Sequence, residues 1–387
     1  MEKKICIIVK SYNLDRDIRV QKEINSLKKK FDVIFIGWDR DNSSLKSSID
    51  CREILFNFTI PHQMNIILFW PLWWLFVFSW LIRNKWDTVH AINIDSILPS
   101  LLASKIRSRR CIYEILDTYE DFMVLPVKIR YILLKFDKLI MSLSDAIILV
   151  DHCQIEEFSG VPNSNITIIY DSPPNILSKL SVTKHKYFTL FYAGVIFKNR
   201  KLNLETIIEV AKSLEGIQLI LAGYGDLVDE IQKCEKQMPD KLKFIGRISY
   251  GEALERCKNS DLLFVLRDPV IPVNRYICGS TLLNAMMCGI PILVNKGTST
   301  ADKVLKENCG LMIDAEDVNE IKKAIMKLRD DPELCKLLGT NGRKAYEERY
   351  SWDIMGQKLI DLYQDLTKSS DDHPLTTQKL VAKEVSK

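Results

Sequence analysis

Two adjacent cations, Arg200 and Lys201, follow a short apolar run and a glycine in YAGVIFKNRKLNLETI, residues 192–207. A guanidinium and an ammonium placed just before a helix suit a diphosphate. Both form charge-assisted hydrogen bonds, and the helix start adds its own free N–H groups. Gly194, at the turn, lets the backbone approach such a ligand closely. The same loop, with Lys198, also reads as a solvated basic turn. Three further apolar runs end in comparable turns. Gly223 and Gly225 stand in LILAGYGDL, Gly246 in FIGRISYGEAL, and Gly279, Ser280 and Thr281 open a helical stretch that runs to Gly289. A lone Gly-x-Gly is often plain turn geometry. Recurrence at four successive strand ends within one half of the chain points to a phosphate-binding edge.

Such loops need a parallel sheet behind them, and the chain supplies two. Short β-branched apolar runs at Ile5–Val9, Val33–Gly37, Val89–Ile92, Cys111–Ile115, Ala146–Val150 and Ile166–Ile169 read as strands buried on both faces. Helical segments separate them, as in Asp17–Lys29 with Ile18, Val20, Ile24 and Leu27 on one side. The pattern restarts at Phe188–Ala193, Leu219–Ala222, Leu242–Ile245, Leu262–Leu266, Ile292–Val294 and Leu311–Ile313. Two such series predict an α/β protein of two doubly wound, Rossmann-like domains. The first is expected over residues 1–173 and the second over 174–350, with DSPPN at Asp171–Asn175 as linker. A closing helix is expected over 351–366 and a frayed polar tail over 367–387.

The 387 residues are enough for two cores, and a net charge of +4 is too small to argue for nucleic acid. Ten cysteines stand singly without a CxxC pair, which fits reduced thiols in a cytoplasmic protein better than zinc or a disulfide scaffold. The apolar run in MEKKICIIVKSY is too short for a signal sequence. Asp-x-Asp occurs at Asp15–Asp17 and at Asp39–Asp41; both are read as solvated loops, and no metal is expected.

One segment departs from the pattern. Ile66–Ile82 reads IILFWPLWWLFVFSWLI, without a charge, followed by Arg83 and Lys85, and it holds four of the seven tryptophans. A spanning helix wants about 20 apolar residues, and Pro71 falls inside this run. Tryptophan density and basic flanks predict a helix embedded in a membrane interface, the alternative being a core helix.

The ensemble resembles the glycosyltransferases of family 4, over nearly the whole chain to about Tyr363. DIRVQKEINSLKKKFDVIFIG, Asp17–Gly37, is similar to the family's D-x-R-V-x-x-E-x-x-x-L run, and WDTVHAINIDSILPSLLASK, Trp86–Lys105, to its D-V-V-H-A strand and helix. YAGVIFKNRKL, LILAGYG, FIGRISYGEAL, SDLLFVL, AMMCGIPILVN, CGLMID and ERYSWDIMGQKLIDLY follow in the family's order. The resemblance implies the GT-B fold, two domains facing across a cleft. It also implies transfer of a sugar from a nucleotide donor, with retention at the anomeric carbon. By the same likeness Arg200 and Lys201 hold the donor diphosphate, Gly194 admits it, and Gly279 to Thr281 face its phosphates. Fixed donors aimed at the departing diphosphate lower the barrier without proton transfer. Asp17, Arg19 and His90 are expected near the acceptor, or else as a helix cap and a core histidine.

Several positions depart from the family's pattern. Its two helix glutamates are Tyr276 and Asn284 here, and where relatives read S-P-N-K-L-F-E this chain has CGSTLLN, Cys278–Asn284. A histidine of the pattern is Leu116, with Asp117 beside it. The reading is a transferase at the cytoplasmic face of a membrane, taking a nucleotide sugar as co-substrate, with no other cofactor, and a glycan or lipid-linked acceptor. A non-catalytic GT-B partner subunit is one alternative. A nucleotide-sugar epimerase is another, but the cleft carboxylates it needs cannot be placed.

Overall fold

The computed structural model describes residues 3–40, 49–61, 65–116, 127–181 and 186–368, with side chains in the helix Val127–Leu143 from residue 131 onward. Packing divides the chain into two units: Met1–Ile169 with Gly356–Lys387, and Tyr170–Met355.

Unit 1 holds seven parallel strands: β1 (Ile5–Lys10), β2 (Asp32–Asp39), β3 (Arg52–Asn57), β4 (Thr88–Ile92), β5 (Arg110–Ile115), β6 (Ala146–Leu149) and β7 (Ile166–Ile168). Their order in the sheet is β3-β2-β1-β4-β5-β6-β7. The buried central strands are the apolar runs of the sequence. β3 was not among them, because REILFN is a half-exposed edge strand whose polar ends break the apolar signal. The longer helices of this unit include α1 (Ile18–Leu27), α2 (Trp70–Arg83), α3 (Ile94–Arg107) and α4 (Val127–Leu143). Side chains alternate across a strand. Val89 and Ala91 of β4 therefore join the core that α2 fills with Trp73, Val77 and Leu81, while His90 points to the opposite face. There its Nδ1 lies 2.9 Å from Tyr363 Oη of the closing helix, Trp352–Lys368.

Unit 2 holds six parallel strands: β8 (Phe188–Val195), β9 (Ile217–Tyr224), β10 (Leu242–Phe244), β11 (Leu262–Val265), β12 (Ile292–Asn295) and β13 (Gly310–Ile313), in the order β10-β9-β8-β11-β12-β13. The order reverses between β8 and β11, and open α/β sheets bind ligands beyond the carboxyl ends of strands at such a point.

The prolines of the expected linker lie inside unit 2. Tyr346 Oη donates to Pro173 O at 2.8 Å and Arg343 to Asn175 Oδ1 at 2.9 Å, so the chain passes between units at Ile169–Tyr170 instead. The closing helix extends to Lys368, and Lys4 Nζ donates to Thr367 O at 2.8 Å. The expected tail lies, from residue 369 on, outside the described residues. All ten cysteines are free thiols.

A candidate nucleotide site at the carboxyl edge of the second sheet

At the end of β8 the chain turns through a 3-10 helix, Lys198–Arg200, and then through Lys201 (φ 44°) and Asn203 (φ 50°) in the left-handed region. Two side-chain amides hold this turn. Asn203 Nδ2 donates to Leu266 O at 2.7 Å, and Asn274 Nδ2 to Arg200 O at 2.9 Å and Asp268 O at 3.0 Å. The loops after β8 and β11 are thereby tied together across the switch point. Asn274 has no sequence signal of its own: it is one asparagine in a loop until the fold shows that it is 1% exposed.

The three cations of the turn differ in their surroundings. Lys198 pairs with Glu230 at 2.5 Å, and Lys201 with Asp268 at 3.2 Å. The second guanidinium beside Arg200 comes instead from Arg267, just past β11. It lies 3.7 Å from where a Cβ on Gly279 would stand, and among the described residues no carboxylate pairs with it. Burial raises the pKa of the Tyr192 phenol, against the opposing positive charges of Arg267 and Arg200. Both arginines therefore act on one point at the end of β8. Arg267 was missed because a basic residue after a strand resembles any solvated loop; its place immediately after the buried run LLFV was the available clue.

Gly279 is the N-cap of the helix Ser280–Cys288, which has no side-chain cap. Its amide donates to Thr300 Oγ1 at 3.3 Å. The first turn of such a helix leaves N–H groups without intrahelical acceptors, here at exposed Ser280 and buried Thr281. One turn on, the amide oxygen of Asn284 is buried and has no hydrogen-bond partner. A buried, unsatisfied acceptor costs about 1–3 kcal/mol, which a ligand hydroxyl would relieve. Tyr276, half-buried, lies against the Arg275 guanidinium at 5.3 Å.

Gly223 and Gly225 have a different reason to be glycine. At φ 149° and 153°, a Cβ would fall 1.9 Å from Gly194 O and 2.0 Å from Ile196 O. The close approach that they permit is that of β9 to the end of β8. At Gly194 an added Cβ would meet the Tyr192 hydroxyl at 2.8 Å.

In unit 1 the residues expected near an acceptor are structural. Asp17 accepts from Val20 N at 3.1 Å as the cap of α1. Arg19, 6% exposed, donates through Nε to Glu114 Oε1 at 2.9 Å and through Nη2 to Ile169 O at 3.0 Å, and its Nε lies 3.0 Å from Glu23 Oε1. His90, fully buried, places Nε2 3.1 Å from Glu114 Oε2. Burial raises the Glu23 carboxyl, and neighbouring Glu114 raises it further. Burial also opposes charge on Glu114, but Arg19 and His90 outweigh it and hold that carboxyl well below the usual range. The two carboxyls are thus pushed in opposite directions, Glu23 towards its neutral form and Glu114 towards its charged form. Nor is Asp39 in a solvated loop: it is 5% exposed and accepts from Asn13 Nδ2 at 2.9 Å. Asp41 and Asp117 lie outside the described residues.

The aromatic density of α2 is a packing feature. Trp73 is fully buried, stacked on Trp38 at 5.9 Å between centroids, with Phe56 and Phe76 at 6.1 Å. Trp74 donates to Asp95 O at 2.8 Å. The expectation that the tryptophans meet a membrane fails at Trp73, whose ring is packed among Trp38, Phe56 and Phe76 in the core. Ile66–Arg83 is long and apolar enough to cross a membrane by composition alone, yet one edge of α2 is locked into the sheet. Pro71 falls in the first turn, where a missing N–H costs nothing.

The profile of the family described as glycosyl transferases group 1 matches residues 177–345. Among curated relatives, a GDP-mannose-dependent monoacylated alpha-(1-6)-phosphatidylinositol monomannoside mannosyltransferase of Corynebacterium glutamicum is 27% identical over 151 residues, 38% of this chain and 39% of the relative. The capsular polysaccharide biosynthesis glycosyltransferase CapM of Staphylococcus aureus is 28% identical over 152 residues, 34% of this chain and 39% of the relative. The matched segments thus span about two fifths of these relatives' length. Among solved structures, sucrose-phosphate synthase from Thermosynechococcus elongatus superposes with a TM-score of 0.75 at 16% identity, over 95% of this chain and 100% of that one. Anabaena Alr3699/HepE, in complex with UDP and glucose, does so with 0.71 at 13%, over 94% and 100%. The fold is GT-B, and within it residues 177–345 match the group 1 glycosyl transferases.

Proposed function

We propose that the chain transfers a sugar from a nucleotide donor to a glycan or lipid-linked acceptor, with retention, at the cytoplasmic face of a membrane. The observation that carries this reading is the convergence of Arg200, Arg267 and the start of the helix Ser280–Cys288 on the switch point of the second sheet. Two guanidiniums and a helix N-terminus form a preorganised site for a diphosphate. As the glycosidic bond breaks, negative charge gathers on that leaving group, and donors already in place stabilise it without reorganising. Lys201 is held by Asp268, which offsets most of its charge here. The orphaned oxygen of Asn284 accepts from a donor hydroxyl, the role a glutamate would play with a stronger bond. No metal or further cofactor enters this scheme. The relatives' use of GDP-mannose and the UDP and glucose bound to a structural neighbour support a nucleotide sugar as donor.

Saturation-transfer NMR of the full chain against UDP- and GDP-sugars tests the reading. One nucleotide sugar should show transfer to its base and ribose protons, competed by the matching nucleoside diphosphate. If none of the panel binds at millimolar concentration, the donor site is not functional.

A further inference from the structure

We infer that helices α2, α3 and α4 together form a docking face for an anionic bilayer, extending the membrane reading above from one helix to a whole layer of unit 1. α3 packs between α2 and α4. Each buries one edge: Trp73, Val77 and Leu81 in α2, Ile97 and Leu101 in α3, Ile140 and Met141 in α4. The opposite edges are apolar as well. Leu68, in the turn before α2, joins Leu72 and Leu75; α3 exposes Leu102 and Ile106; α4 exposes Tyr131, Ile132, Phe136, Leu139 and Leu143. The spacing of three to four residues sets these side chains in one stripe per helix. Every large apolar side chain exposed among the described residues of unit 1, Tyr12 excepted, lies on this layer. Scattered single exposures need no explanation, whereas a concentration on one face does.

Charge selects the occupant. Arg83, Lys85, Lys105, Arg109 and Lys135 are exposed on or beside the same helices, whereas none of the carboxylates described between residues 66 and 145 is exposed. An apolar face whose exposed charged neighbours, among the described residues of these helices and their flanks, are cations matches lipid headgroups of negative charge over an acyl layer. A protein partner would draw on carboxylates as well as cations at the rim. Seated on this face, unit 1 lies flat on the bilayer, with the aromatic edge of α2 still in its own core.

Co-sedimentation of the full chain with phosphatidylglycerol–phosphatidylcholine vesicles, and with phosphatidylcholine alone, tests the inference. The wild type should pellet with the first and much less with the second. Leu102→Ser with Ile106→Ser, and separately Ile132→Ser with Phe136→Ser, should each weaken partitioning by about ten-fold or more. Lys105→Glu with Lys135→Glu, a change that leaves the apolar stripes intact, should abolish the preference for the anionic lipid. Wild-type levels of binding by the α3 and α4 variants, with loss only on Leu72→Ser and Leu75→Ser, would confine docking to α2 and overturn the proposal. A wild type that binds neither vesicle overturns the membrane reading as well, while the nucleotide titration still stands or falls alone. Light scattering that shows a dimer dissolved by the α4 changes would assign the face to a second copy, and also overturns it.

Discussion

At the scale of single residues, the site turns on which cations are engaged by carboxylates. Lys198 and Lys201 each face one across a solvated turn, whereas Arg267 reaches the buried start of a helix with no carboxylate of its own among the described residues. Charge-assisted hydrogen bonds contribute roughly 1.5–3 kcal/mol each. Arg200→Ala and Arg267→Ala should therefore each weaken nucleoside diphosphate binding by about ten-fold or more in calorimetry. Lys201→Ala should have a smaller effect, since Asp268 already neutralises that ammonium. Unchanged affinity in Arg267→Ala would remove it from the site. The pair Arg200–Lys201 stood out in the sequence because the two are adjacent. Arg267 lies far along the chain and comes to the same strand end as Arg200 only because β8 and β11 are neighbours in the sheet.

At the scale of elements, α2 shows how one apolar run can serve two environments. Its charge-free composition left core and interface both open, since periodicity is invisible when every position is apolar. The fold separates the edges: Trp73 is fully buried, and Leu75 is 63% exposed. Trp73→Ala should lower unfolding stability in urea by about 3–5 kcal/mol, and Leu75→Ser should stay within about 0.5 kcal/mol. Equal effects would mean that the helix does not have these two edges. Gly223 and Gly225 make a related point about strand ends. The sequence marks them as turn glycines, but only the register of β9 against β8 shows that backbone carbonyls fill the space a side chain would need.

At the scale of the whole molecule, the stability of unit 1 should carry the signature of its two oppositely shifted carboxyls. Glu23 has a raised carboxyl, so its contribution is complete below the unfolded carboxylate range and is lost as pH rises through the folded value. Glu114 is depressed, so its contribution is present above that range and is lost on acidification. Glu23→Gln, which mimics the neutral acid, should flatten the decline of the unfolding midpoint towards high pH at little cost. Glu114→Gln strips Arg19 and should cost about 3–5 kcal/mol. Thermal unfolding followed by circular dichroism across the pH range checks both, and a wild-type midpoint that does not fall on the alkaline side would sink the neutral Glu23.

The sequence by itself determined the two doubly wound sheets, because strands buried on both faces must be continuous apolar runs; only the half-exposed edge strand β3 left no such run. It also marked the glycine-bearing strand ends that cluster in the second half, since glycines and helix starts are local features. The tertiary structure alone decided which turns meet. Strand order brings Arg267 to Arg200, whereas Asp17, Arg19 and His90, prominent in the sequence, are drawn into a cap and a buried ion network. Those outcomes depend on which face of a strand a side chain takes and on which strand lies beside it, and neither is written in local spacing.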